Sequence, residues 1–518
     1  MQQYTLYSAI LPIQSGAVKD IDEIVLSVEN AEIINGLIET HNKQFSIVKR
    51  PGLVPFVHLY RNASVDGLYW WDEKSCVIAV CDGRIFKITM SQPHLRQGEV
   101  EDITGKELLK GKRPVFATDG NILIMANGGR LVSYDNKTST KWLEAPGCPS
   151  ESTHIIYHDR YFIANEVGSG IFHYSNVNDP WHWNPIDYAE VDSEPDNLIA
   201  IHKAWRELML FGNRSVETWY NAGDADSPFQ RLTGAYIESG VLSPYSIQLV
   251  NGAWVWLDNN RKVVVLEGRV PKSISEPYSE YIQSLSDTGD NIRSDVINIG
   301  SKTLYILDFL ASNITLVYDF STQVWYRWSY WNLDENIHER FLGNCYCYAK
   351  DWNIHLIGDR RRGSIYRFDP SLTSDVGDYI NFTVRTGHIN HGTLQKKRNR
   401  SLILKLKRGH KENIPQIYED IDALSVRDIV TDGNIYKDIN IDSYSAEKIP
   451  QLMIRYNDDN RGWSKERWVS LGSTGEKYFL IKLNALGSYR TRQWEFSSID
   501  DTEFVFVGAQ EEYDILNI

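Results

Sequence analysis

At 518 residues, with 42% hydrophobic and 12% aromatic content, the chain is long enough for two to four domains with cores of their own. Sixteen Trp and 29 Tyr against five Met favour strands over helices. The formal charge is −14, and residues 376–518, with 20 Lys+Arg against 21 Asp+Glu, leave −13 on residues 1–375. A surface of that sign repels nucleic acid over most of its area and argues against a sequence-reading DNA binder.

The N-terminus, "MQQYTLYSAILPIQSG", lacks a basic start and a long apolar run, and no stretch reaches the ~18–20 apolar residues of a membrane span. Neither export by an ordinary signal nor a membrane-spanning segment is expected. Residues 1–56 read as an N-terminal lead-in. "SVENAEIINGLIETHNKQ" suggests helix or irregular structure, and "KRPGLVPF" (49–56) an extended approach to the first blade, fixed by Pro51 and Pro55.

Within a propeller expected at 57–375, one pattern recurs between residues 70 and 370: a β-rich run, a Gly/Asn/Asp turn, and a second run that usually has an aromatic near its end. It appears as "CVIAVCDGRIFKIT", "NILIMANGGRLVSYD", "RYFIANEVGSGIFHYS", "ELMLFGNRSVETWYN", "AWVWLDNNRKVVVLEG", "LYILDFLASNITLVYD" and "IHLIGDRRRGSIYRFD". The turn markers Gly83, Gly129, Gly170, Gly212, Asn260, Asn313 and Gly363 are spaced by 46, 41, 42, 48, 53 and 50 residues, the range of propeller blades. The fold expected is all-β, a β-propeller of six to eight blades, in preference to a pair of β-sandwiches. Residues 376–518 change texture. "INFTVRTGHIN" and "RNRSLILKLKRG" read as two long strands, 409–449 as a polar insertion, and "PQLMIRYNDD", "KERWVSLGS", "KYFLIKLNALG", "RQWEFSSID" and "TEFVFVGAQ" as further strands of a C-terminal β-sandwich-like domain.

Catalytic chemistry has no visible carrier. Asp72 with Glu73 and Glu190 with Asp192 are the carboxylate pairs a glycosidase would need, yet they sit in turn-like segments. His154/His158, His173/His182 and "HINH" (388–391) lack a third ligand at coordinating spacing, "GKR" (111–113) lacks the glycine run of a phosphate loop, and the five cysteines form neither a metal motif nor a disulfide framework. "RYNDDNRGWSKERW" (455–468) resembles the structural Asp-box turn of sialidase-like propellers, without its spacing. No catalytic residue, cofactor or metal is therefore assigned.

Three features are candidate interface or DNA-facing elements. Arg360, Arg361 and Arg362 follow a blade turn. Residues 385–411 hold nine Lys/Arg and no acid, including Lys396, Lys397, Arg398, Arg400, Lys405, Lys407 and Arg408. This stretch could face phosphate or an acidic neighbour, or be a solvated strand edge kept from aggregating by its charges. In "TQVWYRWSYWN", Trp325, Trp328 and Trp331 could be interface anchors or blade-to-blade packing.

The segment "DSEPDNLIAIHKAWRELMLFGNRSVETWYNAGDADSPFQRLTGAYIESGVLSPYSI" (192–247) resembles the packaged-DNA stabilisation proteins of short-tailed bacteriophages, the tail hub or nozzle family. "NCYCYAKDWNIHLIGDRRRGSIYRFDPSLTSDVGDYI" (344–380), "WSKERWVSLGSTGEKYFLIKLNALGSYRTRQWEF" (463–496) and "IINGLIE…KRPGLVPF" agree, while 409–449 departs from the family pattern. The resemblance implies a virion structural protein that is not an enzyme. It implies a homo-oligomeric, sixfold ring below the portal and head-to-tail adaptor that retains packaged DNA, supports a tail needle or plug and tail fibres or tailspikes, and conducts double-stranded DNA without reading its sequence. Location in the virion tail after assembly in the host cytoplasm follows from the same resemblance. The alternative is a propeller glycan hydrolase or lectin acting on host surface sugars.

Overall fold

The computed structural model describes residues 6–10, 31–41, 44–92, 97–191, 196–224, 227–408, 450–471, 478–502 and 504–516. Within them seven blades form a propeller, at residues 65–102, 115–142, 155–190, 198–237, 248–273, 292–332 and 343–369. Each of the seven sequence hairpins is the second and third strand of one blade, Cys76–Cys81 with Arg84–Gln92 in the first and Ile354–Asp359 with Ser364–Asp369 in the last. Their periodicity is thus the blade repeat. The closing aromatics are buried between blades, Tyr134 against the first, Tyr174 and Trp219 between the third and fourth, and Tyr318 between the fifth and sixth.

Neighbouring blades are joined by apolar layers, six of them separate and the one between the sixth and seventh blades shared with the C-terminal sheets. Val77, Phe86, Leu356 and Ile365 join the seventh blade to the first; Trp71, Ile78, Met125 and Tyr134 join the first to the second; further layers follow around the ring. Each fully buried large apolar side chain contributes about 1.5–3 kcal/mol, so the ring is held by many equivalent interfaces rather than by one central core.

The lead-in has a different place from the one expected. Gly52–His58 pairs antiparallel with Ser364–Asp369 as the outer strand of the seventh blade, so the chain that was expected to introduce the first blade instead completes the last. Pro55 can sit there because an outer strand tolerates a missing N–H, and a bulge lies beside it between Ile365 and Tyr366. Where the helix-like stretch and its continuation are described they are strands, not helix: Glu32–Ile34, Gly36–His41 and Gln44–Lys49. The apolar spacing of Ile33, Ile34, Leu37 and Ile38 imitates a helix, but Asn35 takes a positive φ of 55° and divides the run into strands of two different sheets. Pairing in the folded chain overrides the local pattern.

Through Glu32–Ile34 the sixth blade continues beyond its outer strand, Val324–Asn332, into Phe382–Arg385, Arg492–Ser498, Gln451–Asp458 and Arg467–Ser470. A second sheet runs Gly36–His41, Gln44–Lys49, Phe504–Ile515, Lys397–Arg408 and Tyr478–Asn484. The two sheets enclose Leu402, Leu404, Leu406, Leu452, Ile454, Trp494, Phe496 and Phe506, and this layer is continuous with Trp328, Phe341 and Tyr366 of the propeller. "INFTVRTGHIN" is shorter as a strand than expected, Phe382–Arg385. The 409–449 insertion lies outside the described residues.

One ion pair ties the start of the propeller to its end. Arg50 and Asp375 are 0% and 1% exposed and pair through both guanidinium nitrogens, Nη1 to Oδ1 at 2.8 Å. Arg50 Nε also donates to Asn35 Oδ1 at 3.0 Å and Nη2 to the Ser329 carbonyl at 3.2 Å, and its guanidinium lies 4.5 Å from the Phe341 ring centre. Asn35 in turn donates to Ser329 Oγ and the Asn381 carbonyl. Beside the pair the two chain segments touch so closely that a Cβ at Gly52 would stand 2.1 Å from the Ser374 carbonyl oxygen.

Asp375→Asn leaves a buried guanidinium without its counter-charge. The expected loss is about 3–5 kcal/mol of unfolding free energy, read from urea midpoints, and a loss under about 1 kcal/mol would show that the pair does not hold the joint.

Candidate functional site

The innermost strands, among them Val65–Trp71, Leu198–Ala204, Ile292–Ile299 and Gly343–Ala349, surround the propeller axis. A cavity of about 390 Å³ lies among these strands, and charge pairing joins segments that line it. Arg113, delivered by the connection between the first and second blades, forms a two-pronged pair with Asp295 of the sixth at 2.7 and 2.9 Å. Arg293 donates to the Gly111 carbonyl at 3.0 Å, Arg340 lies 3.9 Å from Asp308, and Asn344 Nδ2 donates to the Val65 carbonyl at 2.9 Å. Burial pushes the carboxyls of Asp295 and Asp308 upward, against the pull of Arg113 on the first and Arg340 on the second. Burial also holds His154 well below its usual range and His202 down to about 4, so both imidazoles are neutral at pH 7. The sequence offered no signal for this cluster: Arg113 and Asp295 stand 182 residues apart, and only ring closure brings them together.

The triple-arginine turn is built into the seventh blade. Asp359, 1% exposed, accepts from the Arg361 N–H at 2.7 Å and from the Tyr366 hydroxyl at 2.6 Å, while Gly363 donates its N–H to the Arg61 carbonyl at 2.8 Å. Arg360 pairs with Glu339. Arg361 lies 4.3 Å over the Tyr330 ring, and Arg361 and Arg362 are exposed.

Part of the basic stretch is matched inside the chain. Its strand, Lys397–Arg408, runs antiparallel to the acidic Phe504–Ile515, which places Leu402 opposite Glu511 and Ser401 opposite Glu512. Arg400 pairs with Asp514, and Arg385 with Glu495 at 2.7 Å and Glu32 at 3.0 Å. Lys397 is a correction to the set of surface candidates: it is fully buried, donates to the Thr393 and Gln395 carbonyls at 2.7 and 3.0 Å, and is held down to about 8 by burial, against the charge of Glu511. Lys396 is half-buried; Arg398, Arg400, Lys405 and Lys407 are exposed, the last two pointing away from the Leu402, Leu404 and Leu406 face. Arg408 ends the strand, and residues 409–411 lie outside the described residues.

Two of the tryptophans are also corrected. Trp325 packs between the fifth and sixth blades and donates to the Ile274 carbonyl at 2.8 Å, and Trp328 is enclosed in the layer shared with the sandwich, so neither is an outward anchor. Trp331 remains partly exposed, its ring 4.6 Å from that of His338.

The catalytic candidates divide between a short turn, at Asp72 and Glu73, and strands, at His173 and Glu190. Asp72 accepts from Trp70 Nε1 at 3.1 Å and from Lys350 at 3.4 Å; His173 and His182 meet the local acids Glu166 and Asp179; Asp192 lies outside the described residues. In the Asp-box-like turn, Asn457 accepts from the Gly462 N–H and Asp459 from the N–H groups of Arg490 and Thr491. Among the described residues no three His, Cys, Asp or Glu side chains gather as a metal site, and no helix is long and apolar enough to cross a membrane. Cys76, Cys81 and Cys345 are buried free thiols, whereas Cys148 and Cys347 are partly exposed.

Residues 49–373 match the family model described as bacteriophage P22 Gp10, β-propeller. The chain belongs to this phage packaged-DNA stabilisation family. The match begins and ends within two residues of the Arg50–Asp375 pair, so it spans the propeller, and its membership makes the chain a bacteriophage virion structural protein. No curated protein matches the chain. Similar solved structures include "YCF48 bound to D1 peptide", at 11% identity over 62% of this chain and 97% of that one, with a TM-score of 0.35. Another is an auxiliary nutrient binding protein from Bacteroides thetaiotaomicron, at 7% identity over 61% of this chain and 69% of that one, also with a TM-score of 0.35.

Asp295→Ala leaves Arg113 without its counter-charge and is expected to lower stability by about 3–5 kcal/mol, whereas Arg361→Ala on the surface costs at most about 1 kcal/mol; thermal and urea unfolding compare them. For Lys397 the sign is set by its lowered value. Between pH 8 and the unfolded lysine value of about 10.4 the unfolded chain binds more protons, so raising pH favours the folded state. The stability of the wild type relative to Lys397→Met is therefore expected to rise from pH 8 to 10, measured by urea unfolding at fixed ionic strength.

Proposed function

We propose that this family member is the subunit of a tail hub or nozzle ring that retains packaged DNA, closes the portal channel after packaging and conducts DNA at ejection. The observation that carries the reading is the family match over residues 49–373, the whole propeller. The narrow axis, crossed by an ion pair, supports it from the physical side. A B-DNA major groove alone is about 12 Å wide, and a 390 Å³ cavity crossed by the Arg113–Asp295 pair admits no duplex. The path for DNA therefore runs between copies of the chain, which calls for a homo-oligomeric ring, taken here as a hexamer.

In this reading the ring sits below the head-to-tail adaptor and portal, carries a needle or plug, and offers its outer side to fibres or tailspikes. It assembles in the host cytoplasm and performs no catalysis. The acid of residues 1–375 suits a lumen along which DNA slides, because neutralising contacts would hold the duplex in place.

The test is twofold. Phage lacking this chain should package DNA and then lose it, counted as empty heads by electron microscopy, and adding the purified chain to such heads should restore DNA retention. Native mass spectrometry of the restored tails should give six copies. Full heads without the chain, or a chain that stays monomeric on tails, would overturn the reading.

A further inference from the structure

Two stretches of the sequence carry charge of a single sign. Residues 385–411 hold nine Lys/Arg and no acid, whereas residues 161–202 hold seven Asp/Glu and no Lys or Arg. The fold sets them at opposite ends of the molecule. The acidic stretch supplies the outer three strands of the third blade and the start of the fourth. The basic stretch belongs to the sandwich, which continues from the sixth blade and shares the layer between the sixth and seventh. In a ring of seven the third blade is three blades away from each of these, so the two stretches do not neutralise one another within one chain.

Each end also exposes apolar side chains at the margin of a sheet. Tyr478–Asn484 is the last strand of the second sandwich sheet, and its Leu480, 68% exposed, stands opposite Lys405. Lys405 and Lys407 are exposed, and Lys482, which pairs with Glu512 at 3.5 Å, shares the face of Leu480 because side chains two apart on a strand point the same way. At the other end Tyr188–Glu190 is the last strand of the third blade, where Ile186, 82% exposed, and Tyr188, 49% exposed, lie beside Asp187 and Glu190. Glu166 adds a carboxylate there: its N–H donates to the carbonyl of Ile171, the residue paired with Glu190.

We propose that the sandwich face formed by Lys405, Lys407 and Leu480 docks on the Ile186–Glu190 rim of the third blade of a second copy of this chain. The two surfaces differ and lie on opposite sides of the subunit, so the contact is head-to-tail, the kind whose repetition builds a ring rather than a closed pair. Opposite charge fixes the register, and the apolar side chains at its centre lose their water. A DNA duplex would also attract the lysines, but its phosphates give Leu480 no partner, whereas the third blade offers acid and apolar surface together. The contact specifies how the subunits of the proposed ring meet and depends on that ring.

The test adds purified chain to heads that lack it, with DNA retention counted by electron microscopy and copies per tail by native mass spectrometry. Lys405→Glu with Lys407→Glu, or Glu166→Lys with Glu190→Lys, should each raise the amount needed for half-maximal retention about a hundredfold, because attraction becomes repulsion at the contact. All four changes in one chain should restore the wild-type amount, which a folding defect would not do. A shift below about threefold for either pair, or no rescue by the combination, would overturn the contact while wild-type rings on the tails leave the ring itself standing. Complete rings of the Lys405→Glu, Lys407→Glu chain that leak DNA would assign the lysines to phosphate and overturn it as well. Wild-type chain that stays monomeric on tails would remove ring and contact together.

Discussion

The Arg50–Asp375 pair is the constraint on which the rest of the molecule depends. A propeller closes only if its last blade meets its first, and here the closing strand arrives from the N-terminal side of the chain. Arg50 stands two residues before that strand and Asp375 six residues after the seventh blade's third strand, so one ion pair fixes the start and end of the ring together. Its other donors reach Ser329 of the sixth blade and Asn35 of the strand leading to the sandwich. An ion pair this deep is costly to desolvate and is retained only when its remaining hydrogens are satisfied. The Asn35, Ser329 and Pro51 oxygens do that.

Ring closure also explains where the polar network lies. Inner strands converge on the axis with their termini and connections, and backbone and side-chain polar groups there cannot all reach water. Arg113, Arg293 and Arg340 bring positive charge from three separate segments to meet Asp295 and Asp308. The interior between blades is apolar while the axis is ionic, and the two regions do different work. The apolar layers provide cohesion. The ion pairs set which segments face one another, since a misplaced blade leaves a buried charge without its partner.

Much of this was legible in the sequence, and the failures have physical causes. The second and third strands of each blade carry a tight turn and alternating apolar residues, so all seven hairpins could be read. Two outer strands, Lys141–Trp142 and Tyr188–Glu190, are short and partly solvated and left little pattern. The run Ile33–Ile38 misled because Asn35 breaks it through a backbone conformation that composition does not reveal. The pairing of Arg400 with Asp514 and the burial of Lys397 beside Glu511 were not legible in 396–408, because those acids come about a hundred residues later. In the same way Trp325 and Trp328 looked like spare apolar surface until the fifth blade and the sandwich covered them. Local pairing is written locally; partners across the ring are not.

The continuation of the sixth blade into the sandwich has a mechanical consequence. Glu32–Ile34 is hydrogen-bonded on one side to the propeller and on the other to the sandwich, and the apolar layer beneath is common to both. No flexible linker intervenes, so turning one part against the other would require breaking sheet hydrogen bonds and opening a packed core. A load applied to the sandwich passes directly into the ring of blades. The propeller and the sandwich therefore move as one stiff body, and bending falls on the loops that leave them.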